Sequence, residues 1–270
     1  EPVLIGSILD VNSLQREGVP FLNQVKQLAE GYINAAKVAN VAIVNGEVAE
    51  LGSRVGGFGD FNYNWGAAVV WFAKKERLFT GREIQEWDSL VGLRETGFRS
   101  NGLSLVRKIM TNKHGENWHM AEYKGINLAT HALMPSRIYT GAVVEMFGGF
   151  DQEPKAVVHG VSHITGGGLP GKLSRVLKPS GLGAIIDRPF EPAELMLYCQ
   201  EKGNVADAEA YRTWNMGQGM VIITPKPHDV MSIAQTHGIE STLIGRVRRA
   251  SGISILNKGY FSKGEYLNFP

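Results

Sequence analysis

The stretch that decides the fold is His159-Gly160-Val161-Ser162-His163-Ile164-Thr165-Gly166-Gly167-Gly168-Leu169-Pro170-Gly171-Lys172. A β-prone approach at residues 156–161 runs into three consecutive glycines. A helix is expected from about Pro170, since proline suits the first helical turn. Strand, tight turn and helix in that order are the repeating piece of a layered α/β domain. Glycines let several N–H groups converge without Cβ obstruction, and a helix start adds partial positive charge, so an anion can settle there. Thr165 and Lys172 offer a hydroxyl and a cation. A tight strand-to-helix connection with no ligand explains the glycines equally well. The spacing is not G-x-x-x-x-G-K-[ST], so the turn is not a P-loop. If the strand continues, His163 alternates with Ile164 and one of them faces the core. A lone histidine there is structural or catalytic, and its closeness to the turn keeps both readings open.

Outward from this stretch the alternation recurs. Residues 3–9 and 41–44 read as strands around an amphipathic helix at 21–39. An apolar run at 67–73 is closed by Lys74-Lys75-Glu76-Arg77, and polar residues 80–88 mark a boundary between domains 1–88 and 89–270. Helices are expected at 103–110, capped by Ser100 or Asn101, and at 136–147, just after Pro135. Helix 170–177, strand 183–186, helix 192–201, strand 219–223, helix 228–237 and strands near 243–247 and 252–256 follow. Short strands with unequal connections favour split β-α-β sheets over a doubly wound one. The fold class is therefore α/β (α+β) in two layered domains. The 33 glycines cluster without a period, which excludes collagen and solenoids.

Composition narrows the function. The chain has 270 residues, 43% hydrophobic and 20% charged, which suits ordinary globular domains. Lys plus Arg is 28 against 26 acidic residues, a net charge of +2, so electrostatics make no case for nucleic acid or an anionic membrane. The lone Cys199 allows no intrachain disulfide, in keeping with a reducing, cytoplasmic setting. No apolar run reaches the roughly 18–20 residues of a membrane helix. The opening Glu1-Pro2-Val3-Leu4-Ile5 lacks an initiator Met and a signal peptide, and reads like the middle of a domain. A sheet beginning there has an open edge, so a homodimer through residues 1–75 is expected.

Three further stretches carry candidate chemistry. In Thr96-Gly97-Phe98-Arg99-Ser100-Asn101-Gly102 a glycine-bounded polar turn opens a helix, which a simple cap also explains. Asn45-Gly46-Glu47 follows an apolar strand, where a carboxylate can hold Mg²⁺ beside a nucleotide; exposed acidic loops are common too. Thr213-Trp214-Asn215-Met216-Gly217-Gln218-Gly219 approaches a strand, with a bulge or hairpin turn as the plain alternative. None of His114, His119 and His131 forms an H-x-x-x-H pair, and no G-x-S-x-G elbow occurs.

Taken in order, these stretches resemble the phosphoribosylformylglycinamidine cyclo-ligase family, also called aminoimidazole ribonucleotide synthetase. The resemblance rests on Asn45-Gly-Glu-Val-Ala-Glu-Leu51, Thr96-Gly-Phe-Arg-Ser-Asn-Gly-Leu-Ser-Leu-Val-Arg-Lys108, Met134-Pro-Ser-Arg-Ile-Tyr139, His163-Ile-Thr-Gly-Gly-Gly168 and Tyr211-Arg-Thr-Trp-Asn-Met-Gly-Gln-Gly-Met220. It implies two α/β domains, with the N-terminal sheet pairing across a homodimer. It implies ATP and Mg²⁺ as co-reactants and ring closure of formylglycinamidine ribonucleotide to aminoimidazole ribonucleotide, releasing ADP and phosphate. Carried onto this sequence, it makes His163, Arg99 and Asn101 catalytic. It gives Glu47, Ser100, Thr165, Gly166, Gly167 and Gly168 to phosphate or ATP, and Glu47 to the metal.

The sequence also departs from the family. Its N-terminal glycine-rich loop, lysine and aspartates would precede Glu1. Arg99 stands where the family has His, Asn45 and Val48 replace residues of a G-G-E-T run, and Asn64 stands for an Asp. These changes admit two alternatives: a superfamily relative with another acceptor, such as a selenophosphate synthetase, or a catalytically inactive homologue.

Overall fold

A computed structural model describes all 270 residues, which pack as two compact units. Unit 1 comprises Glu1–Arg77, Ile138–Val144 and Gly148–Gln152; unit 2 comprises Leu78–Arg137, Glu145–Phe147 and Glu153–Pro270.

Unit 1 is built on β1 (Pro2–Val11), α1 (Leu22–Ala39), β2 (Ala42–Glu50) and β3 (Tyr63–Trp71). The sheet order is β2-β1-β3, with β1 parallel to β2 and antiparallel to β3. Val25, Leu28, Ala29, Tyr32 and Ala36 recur at three- and four-residue spacing and give α1 an apolar stripe. Asn40, left-handed at φ 55°, ends the helix, a role that suits Asn. Ser7, Leu9 and Val11 alternate along β1 as its buried face. Asn45-Gly46-Glu47 does not follow a strand that ends at Val44, because it lies inside β2. The ten-residue β1 extends the ladder, pairing Gly46 with Ser7 and Glu47 with Ile8 beyond a register shift at Ile5/Gly6.

Unit 2 carries β4 (Ser89–Arg94), α2 (Leu103–His114), β5 (Gly160–His163), α4 (Gly168–Leu177), β6 (Gly183–Ile186), α5 (Glu194–Gly203), α6 (Asp207–Thr213), β7 (Gln218–Thr224), α7 (Pro227–Thr236), β8 (Ser241–Arg248), β9 (Ile253–Leu256) and β10 (Tyr266–Phe269). Its seven strands run in the order β10-β9-β6-β8-β4-β7-β5, with β6 and β9 parallel and the other neighbours antiparallel. One face packs Leu90, Ile186, Val221 and Ile223 against Val106, Met110, Leu173, Met196 and Tyr211 of the helices. The other face meets α7 through its buried Val230, Ile233 and Ala234. The split-sheet α/β class expected from the sequence is the class observed.

Local departures have local causes. The helix expected at 136–147 begins only at Thr140, as α3 (Thr140–Phe147). Residues 134–139 stay irregular after Pro135, and the Arg137 N–H donates to Glu95 Oε2. Neither Ser100 nor Asn101 caps α2. Gly102 occupies that position at φ 72°, with no side-chain cap bond. Two short elements, α6 and β10, had no sequence signal, since seven and four residues hold too little periodicity.

Candidate functional site

β4 and β5 lie on either side of antiparallel β7, so their C-terminal ends open at one sheet edge, where β7 begins. His163 ends β5, opposite Met220. Ile164, the next residue, is fully buried while His163 is exposed, as alternation requires. From β4 the chain enters Glu95–Asn101, tied down at Glu95 and Gly97. The Glu95 N–H donates to Gly217 O at 3.0 Å, and Asn215 Nδ2 donates to Gly97 O at 2.8 Å.

Arg99 crosses between these strands. Its backbone sits at φ 62°, a left-handed conformation that costs a residue with a Cβ roughly 1–2 kcal/mol. The side chain explains why it stays there. Nη1 donates to Gly219 O at 3.2 Å and lies 3.5 Å from Glu95 Oε2, while Nη2 meets His163 Nε2 at 2.5 Å. The guanidinium side chain is 11% exposed and the Glu95 side chain 0%. Glu95 is also satisfied by the backbone, accepting from Thr96 N–H at 2.9 Å and Arg137 N–H at 3.2 Å. A guanidinium can only donate, so His163 Nε2 accepts and its ring is neutral with the proton on Nδ1. Partial burial of the ring, then the Arg99 and Lys172 charges, hold the His163 pKa below its ordinary value, in line with this assignment.

The glycine turn abuts the same place. An added Cβ on Gly166 would stand 3.3 Å from Asn101 Nδ2, so Asn101 flanks the turn. Gly167 (φ 94°) is the N-cap of α4 and Gly168 (φ 61°) its first residue. The Gly168 N–H is already engaged by Thr165 O at 2.8 Å, so the turn is partly self-satisfied and fewer of its donors face outward. A Cβ on Gly168 would lie 1.8 Å from Tyr211 O, whereas one on Gly167 would meet nothing closer than Gly171 Cα at 3.9 Å. The outer side of the turn opens on a cleft of about 350 Å³ lined by Gly167, Gly171, Ser174 and Arg212.

The Tyr211–Met220 segment braces both loops. Trp214, fully buried, packs its ring edge-to-face on Phe98 and touches the position that a Cβ on Gly102 would fill. Asn215 Oδ1 accepts from Gly217 N–H at 2.9 Å, and the pairing of β7 with β4 shifts register between Gln218 and Met220. The bulge reading of this stretch is the one that fits.

Unit 2 thus brings together His163, Arg99, Asn101 and Thr165–Gly168, with Ser100 exposed on the same loop. Glu47 lies in unit 1, exposed on β2. No group of three His, Cys, Asp or Glu side chains converges anywhere to hold a metal ion. Sequence reasoning missed Glu95. Its one signal was a buried-strand context four residues ahead of Arg99, and a single carboxylate beside a loop ordinarily reads as surface.

The residues match known proteins over most of their length. A family model described as AIR synthase related protein, C-terminal domain, matches residues 86–256. A phosphoribosylformylglycinamidine cyclo-ligase from Methanococcoides burtonii is 34% identical over 257 residues, covering 94% of this chain and 69% of the relative. One from Methanocaldococcus jannaschii is 34% identical over 249 residues, covering 92% and 66%. The chain therefore spans about two thirds of the length of these relatives. Among solved structures, the E. coli hydrogenase maturation protein HypE aligns over 100% of this chain and 74% of its own, at TM-score 0.61 and 17% identity. T. maritima PurL complexed with FGAR covers 100% of this chain and 39% of its own, at TM-score 0.57 and 15% identity. At such identities the structural likeness shows a shared fold.

Proposed function

This chain belongs to the phosphoribosylformylglycinamidine cyclo-ligase family, and from that premise we propose that it carries out ATP-dependent closure of formylglycinamidine ribonucleotide to aminoimidazole ribonucleotide. ADP and phosphate are the other products. The observation that carries the reading is convergence: four stretches that resemble the family, far apart in sequence, build one sheet-edge site in unit 2. The glycine turn and the Asn101 amide receive a phosphate there, with Thr165 and Ser100 as hydroxyl donors. His163 and Arg99 sit beside the reacting group. Fixed donors at a transferring phosphoryl group, together with positioning of the acceptor, are what such chemistry requires.

Mg²⁺ comes with ATP in this reading. Glu47 offers a single carboxylate with no converging partners, so this chain's own side chains do not form a metal site and no step is routed through the ion. A homodimer and a cytoplasmic setting belong to the same proposal. Ile8 and Val70, which register places on the sheet face away from α1, are 47% and 45% exposed, and that apolar face suits a second copy. Sedimentation as a monomer at micromolar concentration removes the dimer. No helix is long and apolar enough to cross a membrane.

The test pairs binding with turnover. ATP-Mg²⁺ should raise Tm by mass action, and aminoimidazole ribonucleotide should accumulate when the ribonucleotide substrate is added. Gly167→Val, which puts bulk on the open side of the turn, should abolish the Tm response while the circular dichroism spectrum is kept. A wild-type chain without either response is a binding-dead homologue, and the proposal is then wrong.

A further inference from the structure

We propose that Glu95 is a positioning residue for this site: it fixes Arg99 so that the guanidinium holds the His163 ring as a neutral Nε2 acceptor with its Nδ1–H presented to the ligand. The inference rests on the cyclo-ligase reading only for what that ligand is. The proton placement follows from the molecule itself.

The chain of contacts is direct. Glu95 is buried, and its carboxylate meets the Thr96 N–H, the Arg137 N–H and Arg99 Nη1. Arg99 is nearly as buried and stays charged at any physiological pH. A buried cation without its counter-charge is strongly disfavoured, and Arg99 has no means of becoming neutral. Glu95 therefore decides whether the guanidinium remains in the strand-edge niche or moves to water. While it remains, Nη2 occupies His163 Nε2 at 2.5 Å.

The ring then has one free polar atom, the protonated Nδ1. A neutral imidazole in that tautomer donates from Nδ1 and accepts at Nε2; with Nε2 taken by Arg99, His163 serves as a fixed Nδ1–H donor to an anionic or carbonyl oxygen. The charged groups around it favour this state. Arg99 faces it from the β4–α2 loop and Lys172 from α4, both disfavouring a second proton. β7, the strand across from it, carries no titratable residue.

Nitrogen-15 imidazole spectra of the ligand-free chain, followed through a pH titration, test this without reference to turnover. Wild type should show His163 as the Nδ1–H tautomer, titrating below 6.5. In Glu95→Gln the released Arg99 should leave the ring, so that His163 reverts to the Nε2–H tautomer and titrates closer to 6.5. Should Glu95→Gln fail to fold, Glu95→Asp keeps the charge but draws the carboxylate back from Arg99 Nη1 and should shift His163 part-way to the same reversion; an unchanged tautomer there overturns the proposal too. A wild-type ring found as Nε2–H overturns the proposal. So does a folded Glu95→Gln whose His163 keeps the wild-type tautomer, whatever its pKa. Loss of the cyclo-ligase reading would show as absent turnover and leave these spectra unchanged.

Discussion

Gly167 and Gly168 are neighbours in sequence and both left-handed, yet replacing each by alanine should have different consequences. At Gly167 the only charge against alanine is conformational, about 1–2 kcal/mol for a Cβ-bearing residue at positive φ, because its nearest new neighbour is 3.9 Å away. Gly168 carries the same conformational cost and a collision. Its Cβ would sit 1.8 Å from Tyr211 O, 2.8 Å from Tyr211 C and 3.0 Å from Trp214 O. Those are backbone atoms at the α6–β7 junction, so a rotamer change cannot relieve them. Forced shifts of this kind cost about 1–3 kcal/mol, giving about 2–5 kcal/mol in total for Gly168→Ala. For a unit of this size each kcal/mol moves Tm by about 2–4 °C. Gly168→Ala should therefore lose about 4–20 °C and Gly167→Ala about 2–8 °C. Differential scanning calorimetry on the two variants measures the gap. If they fall within about 0.5 kcal/mol of each other, the Tyr211–Trp214 buttress does not constrain the turn, and the account of why three glycines stand there fails.

Two further outcomes are expected. Burial raises the Asp207 carboxyl, but hydrogen bonds from Ser262 N–H, Asn257, Gln200 and Phe261 N–H outweigh it and hold the pKa below 3.8. Asp207→Asn should cost about 2–4 kcal/mol at pH 7. Because the folded pKa is depressed, that contribution is present above the unfolded pKa and fades as pH falls through the folded one, so denaturant unfolding should show the variants converging in strong acid. Cys199 is fully buried and its thiol pushed up to about 12, so a thiol reagent at pH 8 should label it only after unfolding, and rapid native labelling would contradict its packing.

How much the sequence revealed depended on the length scale of each signal. The stripe of α1 and the strand–helix alternation of unit 2 are periodic over many residues, and the structure has them; the strand expected at 156–161 forms only at Gly160–His163. Cap identity was unreadable because Ser100 and Asn101 are good cap residues, yet the turn is set by Gly102 fitting against Trp214, 112 residues away. The late start of α3 is similar. A proline marked a helix start, yet the helix begins only at Thr140, and the segment before it is held to the β4–α2 loop by the Arg137 N–H on Glu95. Residue types showed which groups were chemically able, and non-local packing chose between them.

Arg99 shows the same logic at the site. Taken alone, an arginine where the resemblance places a histidine reads as drift, and drift at several positions suggests a decaying enzyme. Decay leaves replaced residues unsupported: a cation dropped into a site built for a neutral ring would point to solvent or lack partners. Here the guanidinium is 11% exposed, its backbone is held at φ 62°, and it meets a fully buried carboxylate, a strand carbonyl and His163. The carboxylate in turn collects two backbone N–H groups from separate segments. A buried cation is strongly disfavoured without its counter-charge, and here the counter-charge is in place. Arg99 is thus built into the site, beside a histidine whose protonation state it sets.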